Sequence, residues 1–377
     1  MEFRINRRDF LKGFAMVQTI VERRTTIPIL SNTLIQTDQN NITLTATDLE
    51  TAIRTHFPAT VTLQGQASVS ARKLFEILRE LPDSEVHFTK KDNNWVTLTC
   101  EKSIFNIAGM NPEDFPPLPA FTEEDFHPFP TRQLGEMIEK TVFATSTEES
   151  RYNLNGVFFK AIDIDDQPTI RMAATDGHRL SLIDRTGLRF SNLDRGVIIP
   201  KKGLLEIKRL IADAAPREGE QEDLVHLSLS ENSLVAKKNG IIVLTRLIEG
   251  EFPDYESVIP TENDKRIRLS REGFTACLKR ISTMASERGE GLVFQIRKGS
   301  MAVSSSSQDF GDAKEEIDID YGGEDLVVSF NGRYLLDAMA VMGTEEVSFE
   351  LKDSMTACLL QPVGEIGHLC LVMPMKL

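Results

Sequence analysis

Apolar and polar residues follow two different periods along this chain of 377 residues. Apolar side chains recur at helical spacing in segments such as 10–17, where Phe10, Leu11, Phe14 and Val17 share one face. Stretches of alternating polarity, such as 41–47, are typical of half-buried antiparallel strands. The helical pattern predicts six helices, over residues 7–24, 71–80, 132–149, 201–213, 271–288 and 331–342.

The predicted elements recur three times in the same order. Each copy begins with a strand and a helix, continues through several strands, and ends with a second helix and further strands. The interval from a strand end to the second helix is 24 residues from Asp48 to Arg72 and 25 residues from Asp176 to Lys201. The third copy repeats the interval of 25 residues over 306–331. We therefore interpret the chain as an α+β protein of three repeated modules, each with helices on one face of an antiparallel sheet.

Proline-rich segments separate the three copies. Residues 109–121 and 249–265 have the Pro, Asp and Asn content of linkers. We expect domains over 1–121, 122–254 and 255–377. Three unrelated α+β domains are the alternative, but they do not explain why the same landmarks recur in one order.

Patterns typical of metal and cofactor sites are missing from the sequence. The cysteines are scattered without a CxxC pair, which favours buried thiols over a disulfide framework or a zinc site: Cys100, Cys277, Cys358 and Cys370. Two aspartate groups lie beside predicted turns, where solvated charge is the usual explanation: Asp163, Asp165 and Asp166, then Asp318 and Asp320. Phosphate-binding glycine loops are not present. We expect no metal and no cofactor.

Residues 175–179, Thr-Asp-Gly-His-Arg, form the most enzyme-like segment. An Asp–His pair beside a hydroxyl suggests a hydrolase that uses Asp176 and His178. The corresponding segment of the first copy, 47–50, lacks the histidine, and the chain contains no G-x-S-x-G elbow. We therefore prefer a turn that contacts a ligand and keep the hydrolase as an alternative.

The net charge of −14 is distributed unevenly. The six predicted helices hold 19 Lys and Arg against 13 Asp and Glu, so they carry +6 and the remaining chain carries −20. A basic helical face on an acidic body attracts phosphates without reading base sequence. An acidic scaffold that binds peptides but not DNA is a second alternative.

The N-terminus lacks a signal-peptide core and no apolar run reaches the roughly 18 residues of a membrane span, which predicts a cytoplasmic protein.

Five segments spread over the whole chain resemble one family, the bacterial sliding clamp, which is the β subunit of DNA polymerase III. They are RRTTIPILSN, TATDLE, ATDGHRLS, EGEFPDYESVIP and VMPMKL. The resemblance implies three DNA-clamp domains per subunit, with helices that line a central channel and antiparallel sheets outside, closed as a ring by homodimerisation. It further implies a processivity factor that encircles double-stranded DNA, is opened by a clamp-loader complex, and tethers the replicative polymerase and other proteins with clamp-binding motifs. No catalytic activity is expected.

The resemblance also assigns residues. It places a partner-peptide pocket between the second and third domains, at Leu154, Thr175, Gly177, His178, Arg179, Leu180, Pro253, Val258, Met373, Pro374, Met375 and Leu377. For DNA contact it implies Arg24, Arg72, Arg151, Tyr152, Lys201, Lys202, Lys279 and Arg280. For the dimer seam it suggests Phe105, Ile107 and Met284. Departures from the family pattern occur at Ser257 and Ala357 in the pocket and at Glu148 and Asn153 near the DNA.

Overall fold

The computed structural model describes residues 1–21, 25–119, 126–212, 223–284, 291–307 and 311–376. Over these ranges the chain forms six α-helices, numbered in chain order: α1 Arg7–Val17, α2 Ala71–Glu80, α3 Thr131–Val142, α4 Lys201–Ala212, α5 Arg271–Ser282 and α6 Gly332–Val341. None of these helices is long and apolar enough to cross a membrane.

The same ranges contain 26 strands in four antiparallel sheets. In spatial order, the five-stranded sheet contains β5 Thr60–Leu63, β1 Glu2–Asn6, β7 Glu85–Lys90, β8 Val96–Cys100 and β9 Ser103–Ile107. The nine-stranded sheet contains β10 Gly109–Met110, β6 Gln66–Ser70, β2 Asn32–Thr37, β3 Asn41–Thr47, β4 Thr51–Pro58, β18 Ile241–Arg246, β17 Ser233–Lys238, β16 Leu224–Leu229 and β11 His127–Pro130.

The other two sheets involve the second half of the chain. The eight-stranded sheet contains β15 Val197–Pro200, β12 Gly156–Ile164, β13 Gln167–Thr175, β14 Arg179–Thr186, β26 His368–Val372, β25 Cys358–Pro362, β24 Glu346–Leu351 and β19 Lys265–Ser270. The four-stranded sheet contains β22 Gly311–Asp318, β21 Ser300–Ser307, β20 Leu292–Arg297 and β23 Leu326–Phe330.

The chain divides into two compact units. The first unit comprises Met1–Thr131 and Lys202–Leu247, and the second comprises Arg132–Lys201 and Ile248–Leu377. The division cuts through the central module because a sheet crosses each module boundary. In the first unit β4 pairs with β18, and in the second unit β14 pairs with β26. Backbone hydrogen bonds between strands therefore join neighbouring modules as firmly as they join strands within a module.

The helices begin within one residue of their predicted starts, and three of them end six or seven residues before their predicted ends. Asn6, Ser70, Ser270 and Asn331 cap their helices by accepting a hydrogen bond from a main-chain N–H two or three residues ahead. The predicted ends at residues 24, 149 and 288 are wrong, since α1, α3 and α5 stop at Val17, Val142 and Ser282. A threonine follows each end, and its hydroxyl donates to the carbonyl three residues back: Thr19 to Met16, Thr145 to Val142 and Thr283 to Arg280.

The turn that follows β3 and the turn that follows β13 contain the same set of hydrogen bonds. In the first unit Thr47 Oγ1 donates to the carbonyl of Thr51, and Asp48 Oδ1 accepts from the main-chain N–H groups of residues 50 and 51. In the second unit Thr175 Oγ1 donates to the carbonyl of Arg179, and Asp176 Oδ1 accepts from residues 178 and 179. The predicted correspondence between these segments is confirmed. The third predicted counterpart begins at Ser306 and runs into residues 308–310, which lie outside the described ranges.

The cores of the first and third modules are built alike. α1 packs against α2 in one module and α5 against α6 in the other. Phe3 stacks on Phe88 with ring centroids 4.7 Å apart, and Phe10 meets both rings edge-on. In the third module the rings of Phe274, Phe294, Phe330 and Phe349 also pack together, in tilted and edge-on pairs. Buried aromatic rings thus fix the helices on the sheets.

Candidate functional site

The turn at residues 175–179 forms one side of the candidate pocket. It connects β13 to β14, and Gly177 takes a φ of +88°, which favours glycine because a Cβ would be strained there. Gly177 N donates to Thr175 Oγ1 at 3.0 Å. The side chain of His178 is exposed, whereas Leu180 is only 2% exposed. The turn therefore presents His178 to solvent and buries Leu180.

The C-terminal segment crosses this turn. Met373 N donates to the carbonyl of His178 at 2.9 Å, and Met375 N donates to the carbonyl of Ser329 at 2.7 Å. Two backbone hydrogen bonds therefore anchor the segment, one to each neighbouring element. Met373 is 40% exposed, and Pro374 and Met375 are half-buried. Leu377 lies outside the described residues.

A small apolar cluster lies beneath these elements. Leu180, Leu371, Ala357 and Tyr255 are buried together, with Leu182 and Ala173 beside them. Tyr255 N donates to the carbonyl of Pro253 at 2.8 Å, and Val258 N donates to the carbonyl of Tyr255 at 3.3 Å. Pro253 and Val258 are exposed. The segment 252–259 thus holds two apolar side chains at the surface above a buried floor.

Leu154 lies at the end of the short 3-10 segment Glu149–Leu154 that precedes β12. It is 8% exposed, and its carbonyl accepts from Ser146 N at 2.9 Å. A side chain with this burial contributes packing rather than an open contact surface.

Arg179 has its guanidinium fully engaged inside the protein. It donates to Asp176 at 3.0 Å, to Asp337 at 2.6 Å and to the carbonyl of Phe143 at 2.8 Å. The guanidinium also lies over the ring of Tyr334, 4.5 Å from its centroid. Its side chain is 11% exposed. Arg179 therefore braces the turn against α3 and α6 rather than offering a free charge to a ligand.

Sequence reasoning missed the residues that hold Arg179. Phe143 precedes Arg179 by 36 residues, and Asp337 follows it by 158. Nothing in the local pattern around Tyr334 or Asp337 indicates a role, because both belong to an ordinary amphipathic helix. Only the pairing of β14 with β26, which places the third module beside the turn, brings them into contact.

Arg151 and Tyr152 lie close to the same turn. Arg151 Nη1 donates to the carbonyl of Asp176 at 3.1 Å, and Arg151 Nε pairs with Glu148 at 3.2 Å. Tyr152 is 58% exposed. Asn153 Nδ2 donates to the carbonyl of Glu251 at 3.0 Å. Arg151 thus keeps an exposed guanidinium whose charge is partly balanced by Glu148.

The basic residues of the helices differ in exposure and in whether a carboxylate already pairs with them. Arg72 is half-buried at the start of α2, and Lys279 is exposed on α5. Lys202 is bound to the Asp48 carboxylate and donates to the carbonyl of Ile20 at 3.1 Å. Arg24 lies outside the described residues.

Arg280 and Lys201 are constrained in different ways. Arg280 makes a two-pronged ion pair with Glu315 on β22, at 2.8 and 2.5 Å. Burial lowers the pKa of Lys201, and repulsion from Arg179 lowers it further. The positive charge predicted for the helices is therefore only partly available to a phosphate.

The seam candidates lie at two open sheet edges. Phe105 is half-buried on β9, which ends the five-stranded sheet, and Ile107 on the same strand is 8% exposed. Met284 is half-buried next to β22, which ends the four-stranded sheet: a Cβ added at Gly311 would lie 3.8 Å from its Cε. Sequence reasoning missed Ile104, which is 65% exposed on β9. The alternation along 103–107 could have indicated it.

The comparisons with known proteins concern the whole chain. Residues 1–119, 129–254 and 256–376 match, in turn, the N-terminal, central and C-terminal domains of the DNA polymerase III beta subunit family. The beta sliding clamp of Pseudomonas putida is 32% identical over 381 residues, and that of Caulobacter vibrioides is 31% identical over 379 residues, with 100% of both chains covered in each case.

The chain belongs to the DNA polymerase III beta subunit family, the sliding clamps.

Solved structures agree over the full length. The sliding clamp of Bartonella birtlesii, bound to griselimycin, superposes with a TM-score of 0.93 at 31% identity, with 100% of both chains covered. The DNA polymerase sliding clamp of Pseudomonas aeruginosa superposes with a TM-score of 0.90 at 30% identity, again with 100% of both chains covered. The chain therefore has three clamp domains of antiparallel sheets and helices, and its function is that of a DNA sliding clamp in DNA replication.

Membership of the sliding-clamp family determines whether the chain is expected to catalyse a reaction. The family consists of non-catalytic processivity factors, so this chain is not an enzyme and the hydrolase alternative is wrong. The geometry gives the physical reason. Asp176 accepts from the main-chain N–H of His178 and from Arg179, so its oxygens serve the turn instead of orienting a histidine ring.

Proposed function

We propose that two copies of this chain close head to tail into a ring around double-stranded DNA. A clamp-loader complex opens the ring, and the closed ring tethers the replicative polymerase and other proteins with clamp-binding motifs. The retained DNA is bound through its phosphates, without sequence preference. The protein acts in the cytoplasm, where a bacterial chromosome is replicated.

The observation that carries this proposal is the pair of open edges on β9 and β22. Each edge leaves a row of main-chain donors and acceptors available for pairing with another strand. β9 belongs to the first module and β22 to the third, so β9 of one protomer pairs with β22 of the other. Twofold symmetry repeats this contact, and two identical seams close the ring. The apolar side chains of the seam are Phe105, Ile107 and Met284, together with Ile104.

The domain boundaries follow the proline-rich linkers. We place the three clamp domains at 1–121, 122–254 and 255–377, with a sheet continuous across each boundary within a protomer.

DNA contact in this proposal depends on the exposed basic residues of the helices. Counted over the observed bounds, the six helices hold 16 Lys and Arg against 8 Asp and Glu, a surplus of +8 in a chain of net charge −14. The contact residues are Arg24, Arg72, Arg151, Tyr152, Lys201, Lys202, Lys279 and Arg280. The ion pairs of Lys202 and Arg280 make these two the weakest members, because a phosphate must compete with a carboxylate already in place.

Partner binding is proposed for the pocket above the cluster of Leu180, Leu371 and Tyr255. Its residues are Leu154, Thr175, Gly177, His178, Arg179, Leu180, Pro253, Val258, Met373, Pro374, Met375 and Leu377. Exposed Val258 and Met373 supply apolar contact area, and methionine adapts to differently shaped partners. We further propose that griselimycin, bound by the Bartonella birtlesii relative, occupies this pocket.

Native mass spectrometry tests the seam. Wild-type protein should have twice the mass of one 42.3 kDa chain, and Ile104→Asp or Phe105→Asp should shift it to the single-chain mass. A charge placed opposite an apolar partner strand is desolvated without compensation. The control is Ile366→Asp, which changes a residue that is 93% exposed on the β25–β26 connection. A wild-type monomer at micromolar concentration, or a dimer unaffected by both seam variants, contradicts the proposal.

A further inference from the structure

The segment 252–259 has little regular structure to hold it in place. It contains the single short 3-10 turn Glu256–Val258 and no strand. Its internal main-chain hydrogen bonds include Tyr255 N to Pro253 O, Val258 N to Tyr255 O and Ile259 N to Glu256 O. These bonds set the shape of the segment but not its position on the sheet. Its position must come from its side chains, namely those of Phe252, Tyr255 and Glu256.

One arginine from the sheet reaches this segment. Arg171 on β13 makes two parallel hydrogen bonds to Asp184 on β14, at 2.7 and 2.8 Å. Its remaining terminal nitrogen, Nη1, donates to Glu256 Oε1 at 2.8 Å. The Tyr255 hydroxyl donates to the same carboxylate oxygen at 3.4 Å. Asp184 thus orients the guanidinium of Arg171, and the guanidinium in turn binds Glu256 of the segment 252–259.

The surroundings of Arg171 keep its charge fixed. Its side chain is 15% exposed, and that of Asp184 is 11% exposed. Burial acts to lower the pKa of Arg171, but the contacts with Asp184 and with Tyr255 together outweigh burial and the pKa is raised. The planar, two-pronged geometry is specific to arginine, since a lysine ammonium acts as a single point charge.

Aromatic packing secures the other side of the segment. The rings of Phe252 and Phe158 stack with centroids 5.0 Å apart, and Tyr255 meets both edge-on at 5.8 and 6.1 Å. These contacts fix the rings of Phe252 and Tyr255 against the sheet. Glu256 is therefore the point that orients the remainder of the segment, which carries Val258.

We propose that Arg171 is a positioning residue for partner binding, because its contact with Glu256 holds the wall formed by Pro253 and Val258 in the shape that receives a partner peptide. The inference rests on the peptide pocket proposed above and adds a residue outside it. Arg171 touches no partner itself and acts through Glu256. The peptide it serves is an extended segment with apolar side chains, which the exposed Val258 and the apolar cluster below would contact.

The exposure of Glu256 sets the size of the effect. Its side chain is 61% exposed, so solvent screens the ion pair and its loss changes affinity only modestly, by about three- to five-fold. The same loosening should raise the hydrogen-exchange rates of the Tyr255, Val258 and Ile259 amides by a similar factor.

The experiment compares four variants of the full chain with wild type: Glu256→Ala, Arg171→Gln, the double variant, and Glu251→Ala as the matched control. Glu251 is an exposed carboxylate adjoining the same segment, with no ion pair among the described residues. Griselimycin is the binding probe, and amide exchange of residues 255, 258 and 259 reports on the segment itself. The double variant tests whether Arg171 acts on binding through Glu256. If it does, adding Arg171→Gln to Glu256→Ala should cause no further loss of affinity.

The expected result is weaker griselimycin binding and faster exchange for Glu256→Ala, no change for Glu251→Ala, and equal affinities for Glu256→Ala and the double variant. Unchanged exchange and affinity in Glu256→Ala would overturn the proposal, as would an affinity loss from Arg171→Gln that persists in the Glu256→Ala background. If exchange responds but wild type does not bind griselimycin, the contact positions the segment, whereas the pocket assigned above and the role in binding are both overturned.

Discussion

The main-chain N–H of Met373 donates a hydrogen bond to the carbonyl oxygen of His178 across 2.9 Å. The first unit contains the corresponding contact, from Arg246 N to the carbonyl of Glu50 at 2.8 Å. The backbone at both module boundaries is therefore the same, while the side chains differ. Gly177 stands where Leu49 places a bulky side chain at a φ of +81°, and a Cβ at Gly177 would lie 2.9 Å from Arg151 Nη1. This difference in side chains on a repeated scaffold is why we place the proposed peptide pocket at only one of the two boundaries.

Deletion of residues 373–377 should weaken griselimycin binding by about tenfold or more, because it removes both anchoring hydrogen bonds and the apolar surface of Met373. Isothermal titration calorimetry measures the change, with Lys376→Ala as a control that alters the same segment at an exposed position. Dimerisation should survive, since β9 and β22 are untouched. Loss of the dimer would mean that the seam is misplaced.

Adjacent residues on α5 offer a matched test of DNA contact. Lys279 is exposed, whereas Arg280 is held by Glu315. Lys279→Ala should reduce the slope of log affinity against log salt concentration by about one, the value for one phosphate contact. Arg280→Ala should leave that slope nearly unchanged. Fluorescence anisotropy with short duplex DNA over a range of salt concentrations measures both, and the reverse order of effects would contradict the assignment.

Arg179 should be a stability residue of the pocket turn. Arg179→Ala leaves the carboxylates of Asp176 and Asp337 without their cation in a mostly buried site, so the second unit should lose about 2–3 kcal/mol of unfolding free energy. Urea unfolding followed by circular dichroism measures the loss. Arg297→Ala is the control, because its pair with Asp325 joins two side chains that are 67% and 73% exposed and should change stability little. Equal effects of the two substitutions would refute this role.

His368 should make the second unit less stable in mild acid. Burial, together with the nearby Lys140, lowers the pKa of His368 from 6.5 to about 4 in the folded state. Between these values the unfolded chain binds a proton that the folded chain excludes, so stability falls as pH drops from 6.5 towards 4. Glu136 and Glu365 beside it have lowered pKa values and stay ionised over most of this range.

Wild type should therefore lose about 1–2 kcal/mol more stability than His368→Gln between pH 7 and pH 5. Urea midpoints at the two pH values measure this difference. His226→Gln, a change at an exposed histidine, should behave as wild type. An identical pH dependence in His368→Gln would show that another group is responsible.

The sequence predicts the elements better than it predicts their contacts. The starts of α2, α4 and α5 follow from local signals such as Ser70 and Ser270, which cap within three residues. The correspondence between residues 47–51 and 175–179 is equally local. The ends of α1, α3 and α5 are predicted too late, because helix-forming residues continue past the observed ends.

Long-range contacts were beyond sequence reasoning for a physical reason. Whether Lys202 or Arg280 is free depends on carboxylates that lie 154 and 35 residues away and are placed by the sheets. The pattern of charges along a helix indicates which face is basic, but it contains no information on which cations are already paired. The basic surplus was predictable, while its distribution between free and paired side chains was not.

The most direct test of the central claim is release from DNA ends. The protein is loaded by a clamp-loader complex onto a closed circular plasmid, the complex is isolated in high salt, and the plasmid is then cut once. A ring that encircles DNA should stay on the uncut circle and leave the cut plasmid by sliding off its ends. Retention that is equal on circular and linear DNA, or absent from both, would contradict the account.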